Sequence, residues 1–319
     1  FPNAEIVALS RSARVSDHPR ITWKACDLFS LKSLEAAIPK KVDLAFYMVH
    51  SMGPTAHLDQ GSFADYDLIL AENFAKVLKS VGLSQLIYLG GLIPNSKTLS
   101  LHLQSRLEVE QTFQQSNLPT TVFRAGLIIG DSGSSFQILS KLVRRLPIMI
   151  CPAWTQTLTT PVDLQTVIHS IVESALDESR VGKIFDLAGC ESLTYVEMMR
   201  ETARRMGKKR YFIAVPIFTP TLSRLWVSLI TTTSKELVYP LISSLEHPMV
   251  ARQGHLFAPF PKSRTYFSLL QDVTMIPKRQ ESAKSQTRFR AQRKTVRSVQ
   301  RLPLPEGRNA EWVKDQYLL

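Results

Sequence analysis

The stretch LIYLGG at residues 86–91 decides the fold. Its first four residues form an apolar run that is too short for a helix, and Gly90 and Gly91 end it. A polar loop follows, and the sequence HLQSR at residues 102–106 belongs to a helical pattern that begins near residue 100. Open α/β sheets bind ligands in a crevice at the carboxyl ends of their strands. The stretch therefore predicts an α/β protein whose site lies at this edge of the sheet.

The same alternation of apolar runs and helical patterns extends along most of the chain. Further strands are predicted at residues 5–10, 21–25, 42–49 and 120–129, and helices at residues 30–38, 62–81, 100–116 and 134–146. The run VDLAFYMV at residues 42–49 is apolar almost throughout, as expected of a parallel strand that is covered on both faces. Strands that alternate with helices of this length specify a parallel sheet with right-handed crossovers. The prediction is a doubly wound, Rossmann-like sheet over residues 1–150.

The pattern becomes less regular after residue 150. It predicts helices at residues 161–176 and 195–206, strands at residues 183–188 and 211–215, and apolar segments near residues 220–230 and 235–245. These elements indicate a smaller α/β lobe at residues 151–276 that covers the crevice. From residue 277 the apolar content falls and the charge rises, so residues 277–319 are predicted to form a poorly ordered basic tail.

The positive charge of the chain is concentrated in that tail. The formal net charge is +12, and residues 278–301 contain nine basic residues and one acidic residue. This run has a single aromatic residue, Phe289, and no nucleic-acid-binding motif, so a flexible linker is favoured over a nucleic-acid-binding segment. The apolar stretch at residues 212–231 contains two prolines and Arg224, which argues against a membrane-spanning helix. Contact with a membrane surface remains an alternative for this stretch.

The cysteines and histidines predict neither a disulfide framework nor a metal site. The three cysteines are scattered, and the seven histidines show no ligand spacing. Buried free thiols are typical of a reducing compartment, so the predicted location is cytoplasmic, with a peripheral membrane or protein-complex contact as the alternative.

Six short motifs carry a resemblance to a known family. They are ALSR at residues 8–11, CDL at 26–28, YMVHSM at 47–52, YLGG at 88–91, HLQSR at 102–106 and FRAG at 123–126. In this order and spacing, the chain resembles the atypical and extended short-chain dehydrogenase/reductases, in the NmrA-like branch of NAD(P)-binding proteins. The resemblance runs from Glu5 to about residue 270. The sequence RLPLP at residues 301–305 resembles the start of a second module that is often fused to such proteins.

The resemblance also implies a unit that these 319 residues lack. Proteins with this fold begin with a strand, a glycine-rich turn and a helix, whose backbone N–H groups bind the pyrophosphate. Here the first predicted strand matches the second strand of the family. The lacking strand would lie between residues 5–10 and residues 42–49, and its loss leaves two unpaired edges. We therefore expect an N-terminally truncated product, and direct pairing of those two strands would contradict this expectation.

The resemblance places the cofactor contacts at the carboxyl ends of four strands and on the following helix. The residues concerned are Ser10, Arg11, Asp27, Leu28, His50, Ser51, Gly90, Gly91 and Arg106. Arg11 matches a position that contacts the adenosine ribose, and an arginine there suits a 2′-phosphate. NADP is therefore expected, with NAD as the alternative. Asp27 and Leu28 match the pair that contacts adenine. The alternatives are a solvated loop charge for Arg11, a helix N-cap region for Asp27 and a structural histidine for His50.

The catalytic residues of the family are replaced in this chain. Its serine, tyrosine and lysine correspond here to Gly90 or Gly91, His102 and Arg106. The i, i+4 spacing keeps the last two on one helix face. The resemblance implies that His102 acts as a general acid/base near neutral pH and that Arg106 holds the ribose. A hydroxyl to polarise a substrate carbonyl would come from Ser51 or Ser105.

Two further residues have open interpretations. Arg124 either faces the crevice or forms a buried ion pair with an acid such as Asp163. Asn73 matches an asparagine position of the extended members, or is a surface polar residue of its helix.

The predicted function is an NADP-preferring oxidoreductase that transfers a hydride to or from a small carbonyl or alcohol. The alternative is a non-catalytic dinucleotide-binding sensor or scaffold, such as an assembly partner of a membrane complex. A binder of nucleic acid or membrane surfaces through the tail is the weaker third interpretation. The sequence identifies neither the substrate nor the oligomeric state.

Overall fold

Four parallel strands form the centre of the fold in a computed structural model, which describes residues 4–51, 62–131, 133–215, 235–257 and 264–273. They are β3 (Leu44–Tyr47), β4 (Gln85–Gly91), β5 (Thr120–Ala125) and β10 (Ile184–Leu187), in the spatial order β10-β5-β4-β3. Tyr47 pairs with Tyr88, and Gly90 pairs with Arg124. The predicted α/β fold with a parallel central sheet is confirmed.

The first two strands form a separate parallel pair. β1 (Ile6–Ser10) pairs with β2 (Ile21–Ala25), and Ile6 lies opposite Ile21. Among the described residues, neither strand pairs with β3. The direct pairing that would contradict the expected strand between them is therefore not observed there. Asn73 Nδ2 donates to the carbonyl oxygens of Leu28 and Phe29, 3.0 and 3.1 Å away, and so fixes the loop after β2.

Helices cover both faces of the central sheet. They are α1 (Leu31–Ala37), α2 (Phe63–Leu78), α3 (Leu101–Gln115), α4 (Ser134–Arg145), α5 (Leu164–Ser174), α6 (Tyr195–Arg205), α7 (Lys235–Ser244) and α8 (Tyr266–Asp272). Local hydrogen bonds determine where they begin. Ser62 and Asp65 form a capping box at α2, and the Ser100 hydroxyl accepts from the backbone N–H of Leu103 at α3.

Short strand pairs build the remainder of the described structure. β6 (Ile128–Ile129) pairs with β9 (Val162–Asp163), β7 (Ile148–Cys151) with β12 (Tyr211–Ala214), and β8 (Leu158–Thr159) with β11 (Leu193–Thr194). The single strand expected at residues 120–129 is divided into β5 and β6 by residues 126–127. The strand expected in the smaller lobe at residues 183–188 is β10, which pairs with β5 in the central sheet instead.

Two apolar clusters pack on opposite faces of β4. Leu86 and Tyr88 lie in one cluster, together with Tyr47 and Phe113, whereas Ile87 lies in the other with Phe123. Burial on both faces explains why the sequence of β4 is continuously apolar rather than alternating. The apolar segment near residues 220–230 and the basic tail lie outside the described residues. In the described part of the chain, no helix is long and apolar enough to cross a membrane.

Candidate active site

A cavity of about 320 Å³ opens at the carboxyl ends of β3, β4 and β5. His50 lies just after β3, Gly90 and Gly91 end β4, and His102 and Arg106 lie on α3. Apolar side chains of α4 and α7 form much of the remaining wall, among them Ile138, Leu139, Val238, Leu241 and Ile242. Five of the residues that the resemblance assigned to cofactor or catalysis thus line one cavity.

Gly90 is a glycine for a steric reason. A Cβ atom at this position would lie 2.9 Å from Cε1 of Tyr88. That ring is buried, and its hydroxyl donates to the carbonyl oxygen of Arg106 over 3.1 Å. A serine at position 90 would therefore require the Tyr88 ring to move. The position of the Tyr88 ring thus favours glycine at position 90.

Asp67 organises the polar side of the cavity, and the sequence analysis missed it. Its carboxylate is buried and accepts from Nδ1 of His50 at 2.9 Å, from the backbone N–H of Ser51 at 2.8 Å and from Oγ of Ser105 at 3.0 Å. Arg106 Nη2 donates to the same carboxylate. The signal was a single acid at position 67 within the apolar face of α2, four residues after Phe63.

The Asp67 carboxyl group is ionised at neutral pH. Burial alone would raise its pKa, but the hydrogen bond from His50 and the charge of Arg106 lower the pKa to about 2. The ion pair with Arg106 therefore carries no net charge. Asp67 thus holds the side chains of His50 and Arg106 in place, and its negative charge balances the positive charge of Arg106.

Two nitrogen atoms of the Arg106 guanidinium group donate hydrogen bonds to other groups of the protein. Besides Asp67, it donates through Nη1 to the carbonyl oxygen of Val49 over 3.2 Å. Its Nε atom is buried and has no hydrogen-bond partner in the described structure. Holding the cofactor ribose thus remains a prediction for Arg106, whose Nε is one of the N–H donors that Asp67 and Val49 do not use.

His102 is neutral in this environment. Burial, with a smaller effect of the nearby His50 and Arg106, lowers its pKa to about 3. Its Nδ1 atom lies 2.8 Å from Oγ of Ser244 on α7, and its ring centroid is 5.1 Å from that of His50. Desolvation at this position therefore disfavours the charged form of His102 near neutral pH. Its catalytic role stays a prediction.

The hydroxyl groups near the cavity differ from those expected. Ser105 does not line the cavity and donates to Asp67 instead, while Ser51 contacts Asp67 through its backbone N–H. Ser134, Ser135 and Ser244 supply hydroxyls to the lining. Ser244 lies 142 residues from His102, so no local pattern in the sequence could have joined them.

The residues assigned to the adenosine half do not line this cavity. Ser10 and Arg11 lie at the end of β1, where Arg11 is exposed. Asp27 Oδ1 accepts from the backbone N–H of Phe29 at 3.0 Å, whereas the N-cap of α1 is Ser30. Asp27 thus lies in the N-cap region of α1, as the alternative expected, and its carbonyl oxygen accepts from the backbone N–H of the N-cap residue Ser30 at 3.1 Å.

Arg124 lies in a buried ion pair rather than in the crevice. Its Nε and Nη2 atoms donate to the two carboxylate oxygens of Glu110 at 2.8 and 2.6 Å, and Nη1 lies 4.0 Å from Asp186. Asp163, the acid proposed as its partner, caps α5 by accepting from the backbone N–H of Thr166. The buried ion pair was expected correctly, but its partner was wrong.

Comparison with solved structures defines the class of fold. The chain is similar to the triphenylmethane reductase of Citrobacter sp. in complex with NADP(H), with a TM-score of 0.64, 14% identity, and 86% of this chain and 92% of that chain covered. It is also similar to a nucleoside-diphosphate-sugar epimerase of Staphylococcus aureus, with a TM-score of 0.62, 14% identity and coverage of 83% and 90%. The fold is that of these reductase and epimerase structures, and the predicted Rossmann-like fold is confirmed.

Sequence comparison adds one named relative. The auxiliary protein GraX of Staphylococcus aureus is 27% identical over 99 residues, which are 30% of this chain and 32% of GraX. The match thus spans about a third of that relative. No protein-family model matches the chain.

Proposed function

We propose that the chain is an NAD(P)-binding, oxidoreductase-like protein that prefers NADP and acts on a small carbonyl or alcohol. The observation that carries this proposal is the cavity at the carboxyl ends of β3, β4 and β5, into which His50, His102 and Arg106 converge. Ligands of open α/β sheets bind at this edge. The solved structures that share the fold include complexes with NADPH, NADP(H) and NAD⁺.

The residues at the end of β4 fit the nicotinamide end of such a cofactor. Gly90 and Gly91 line the cavity with backbone atoms alone, which allows a ligand to approach the end of the strand closely. Nε2 of His50 and Nε of Arg106 are buried polar atoms without a hydrogen-bond partner in the described structure. Buried polar atoms are normally paired, so these two are available to a ligand. The exposed Arg11 would bind the 2′-phosphate that distinguishes NADP from NAD.

The pyrophosphate of a bound dinucleotide needs backbone N–H groups as hydrogen-bond donors. We place these donors between β1 and β3. Helix N-termini after glycine-rich turns supply such donors in dinucleotide-binding folds. β1 and β3 each leave an edge unpaired among the described strands. A strand and a glycine-rich turn at this place would supply them.

The lining of the cavity favours an uncharged substrate. No acidic side chain lines it among the described residues, Arg106 is paired with Asp67, and His102 is neutral. Apolar walls from α4 and α7 complete it. An anionic sugar phosphate would find no free cation there, whereas a ketone, an aldehyde or an alcohol would be accommodated.

His102 is the residue that would contact the hydroxyl group of an alcohol substrate. The Ser244 hydroxyl lies within hydrogen-bond distance of the carbonyl oxygen of Pro240 (3.0 Å), of Oγ of Ser100 (3.0 Å) and of Nδ1 of His102 (2.8 Å), and in the tautomer that we propose Nδ1 of His102 donates to it. Nε2 is then the atom that accepts a hydrogen bond from an alcohol. The nicotinamide, when bound, would supply or accept the hydride. The low pKa of His102 makes it a weak base, so its main effect would be to orient the hydroxyl.

Calorimetric titration with NADPH and NADH tests the proposal. The chain is compared with a version that carries a glycine-rich strand–turn–helix ahead of Phe1. We expect the extended version to bind NADPH more tightly than NADH, and Arg11→Gln to remove this preference. Failure of both versions to bind either cofactor would contradict the proposal.

The glycines at positions 90 and 91, one of which matches the family serine by resemblance, favour a second candidate, a non-catalytic dinucleotide-binding sensor or scaffold. The similarity to a protein described as auxiliary is in line with it. A screen of carbonyl and alcohol substrates with bound NADPH separates the two, because turnover that is lost in His102→Gln is expected only of an enzyme.

A further inference from the structure

An apolar surface of the β7–β12 strand pair is left exposed. The side chains of Ile148, Ile150, Tyr211 and Ile213 are 52, 50, 70 and 50% exposed. Tyr211 pairs with Ile148 and Ile213 with Ile150, so the four side chains lie side by side on one side of the pair. We call these four residues the β7–β12 face. Met149, one position along, is buried on the opposite side.

Basic residues lie within three positions of the start of both strands of this face. Arg144 and Arg145 end α4 just before β7, and Lys208, Lys209 and Arg210 precede β12. Because the two strands are parallel, their starting ends lie at the same edge.

Hydrogen bonds and sequence composition support a joined basic edge. Arg210 donates to the carbonyl oxygens of Val143 and Arg144 at 2.6 and 2.9 Å, which ties the two basic segments together. Residues 141–151 and 206–215 contain six basic residues and no acidic residue. Burial, together with the charges of Arg145 and Arg144, lowers the pKa of Lys141, as expected where cations lie close together.

We infer that the β7–β12 face and its basic edge bind the surface of an anionic lipid bilayer. Isoleucine and tyrosine side chains would enter the region between head groups and acyl chains, while the cations would pair with lipid phosphates. Contiguous apolar patches on soluble domains commonly mark interaction sites. Nucleic acid would match the cations, but it offers no apolar surface to three isoleucines.

Vesicle co-sedimentation of the full chain tests this inference. Vesicles of phosphatidylcholine are compared with vesicles that also contain phosphatidylglycerol. The test variants are Ile148→Glu/Ile213→Glu and Lys208→Glu/Lys209→Glu. Matched controls are Ile168→Glu on α5, where the side chain is 45% exposed, and Lys40→Glu/Lys41→Glu, a second exposed lysine pair.

The expected result is binding to the anionic vesicles that both test variants reduce and both controls retain. Each lysine near an anionic membrane contributes about 1 kcal/mol, so loss of two predicts a fall in partitioning of about thirtyfold or more. The basic tail is present in every variant and does not produce differences between them. Raised salt screens the attraction between the lysines and the lipid phosphates, so the effect of the lysine substitutions should shrink. The effect of the isoleucine substitutions should persist, because insertion of apolar side chains does not depend on that attraction.

Three results would overturn the inference. One is vesicle binding that the two test variants leave unchanged. Another is a large loss of thermal stability in Ile148→Glu/Ile213→Glu, which would mean that another segment of the protein covers the face. A third is binding of duplex DNA, but not of vesicles, that depends on Lys208 and Lys209.

Discussion

Replacing Asp67 by asparagine should strongly destabilise the protein. The carboxylate is 1% exposed, and four hydrogen-bond donors converge on it, from His50, Ser51, Ser105 and Arg106. An asparagine has one acceptor oxygen, and its amide group turns two further donors toward these groups. The charge of Arg106, whose side chain is 7% exposed, would remain buried without a counter-ion.

The size of the effect follows from this loss of pairing. Removal of one partner from a buried ion pair costs about 3–5 kcal/mol, which is a large part of the total stability of a typical domain. Glu201→Gln is the matched control, because it breaks a surface ion pair with Arg204 (2.8 Å) and should cost less than about 1 kcal/mol. The measurement is the free energy of unfolding from urea denaturation.

A double-mutant cycle identifies the cause. Arg106→Met combined with Asp67→Asn removes the unpaired charge, so the double variant should be less destabilised than the sum of the two single variants. Coupling of at least about 1 kcal/mol is expected for groups in direct contact. A cost of Asp67→Asn below about 1 kcal/mol, or strict additivity with Arg106→Met, would refute the reasoning.

Two further perturbations test the geometry of the cavity. The folded protein keeps His102 neutral down to a pKa of about 3, whereas the unfolded chain protonates it below its usual value of 6.5. The free energy of unfolding should therefore fall as the pH falls through this window, and His102→Gln should reduce the slope by about 1.4 kcal/mol per pH unit. An unchanged slope in urea denaturation at pH 4–6 would contradict the burial of His102. Gly90→Ser should destabilise by about 1–3 kcal/mol because it collides with Tyr88, while Gly254→Ser, with open space around its Cβ position, should not. Equal stability of the two serine variants would contradict the steric account of Gly90.

The order of strands and helices was predictable because it depends on local patterns. The apolar run at residues 86–89 and the glycines that follow it located β4, and the i, i+4 pair located the cavity-lining side of α3. The place of β10 was not predictable, because its pairing with β5 joins segments about sixty residues apart in sequence. Strand order in a sheet is set by long-range packing, which periodicity does not record.

The polar contacts of the site were less predictable for the same reason. Local sequence predicts an ordinary pKa for His102, whereas the structure lowers it because the ring is desolvated close to His50 and Arg106, next to Ser244 of α7. The sequence contains several acidic residues that could pair with Arg124. The pairing with Glu110 depends on how α3 packs against β5. A single charged residue within an apolar helix face, such as Asp67, is the local signal that indicates a buried ion pair.

The state of Asp67 also bears on which function the cavity can serve. By resemblance, His102 and Arg106 match a tyrosine and a lysine, of which the lysine lowers the pKa of the tyrosine and binds the ribose. Here Arg106 is engaged by Asp67, and the tyrosine position is a histidine that burial keeps neutral. The two groups therefore cannot act on each other as the family pair does, since neither is set to change its charge near neutral pH. If the chain catalyses hydride transfer, its residues contribute orientation and exclusion of water more than proton transfer. The activity should then depend weakly on pH between 5 and 8, whereas an enzyme with a titrating acid/base would show a clear transition in that range. A pH profile with a sharp transition that His102→Gln abolishes would refute this account.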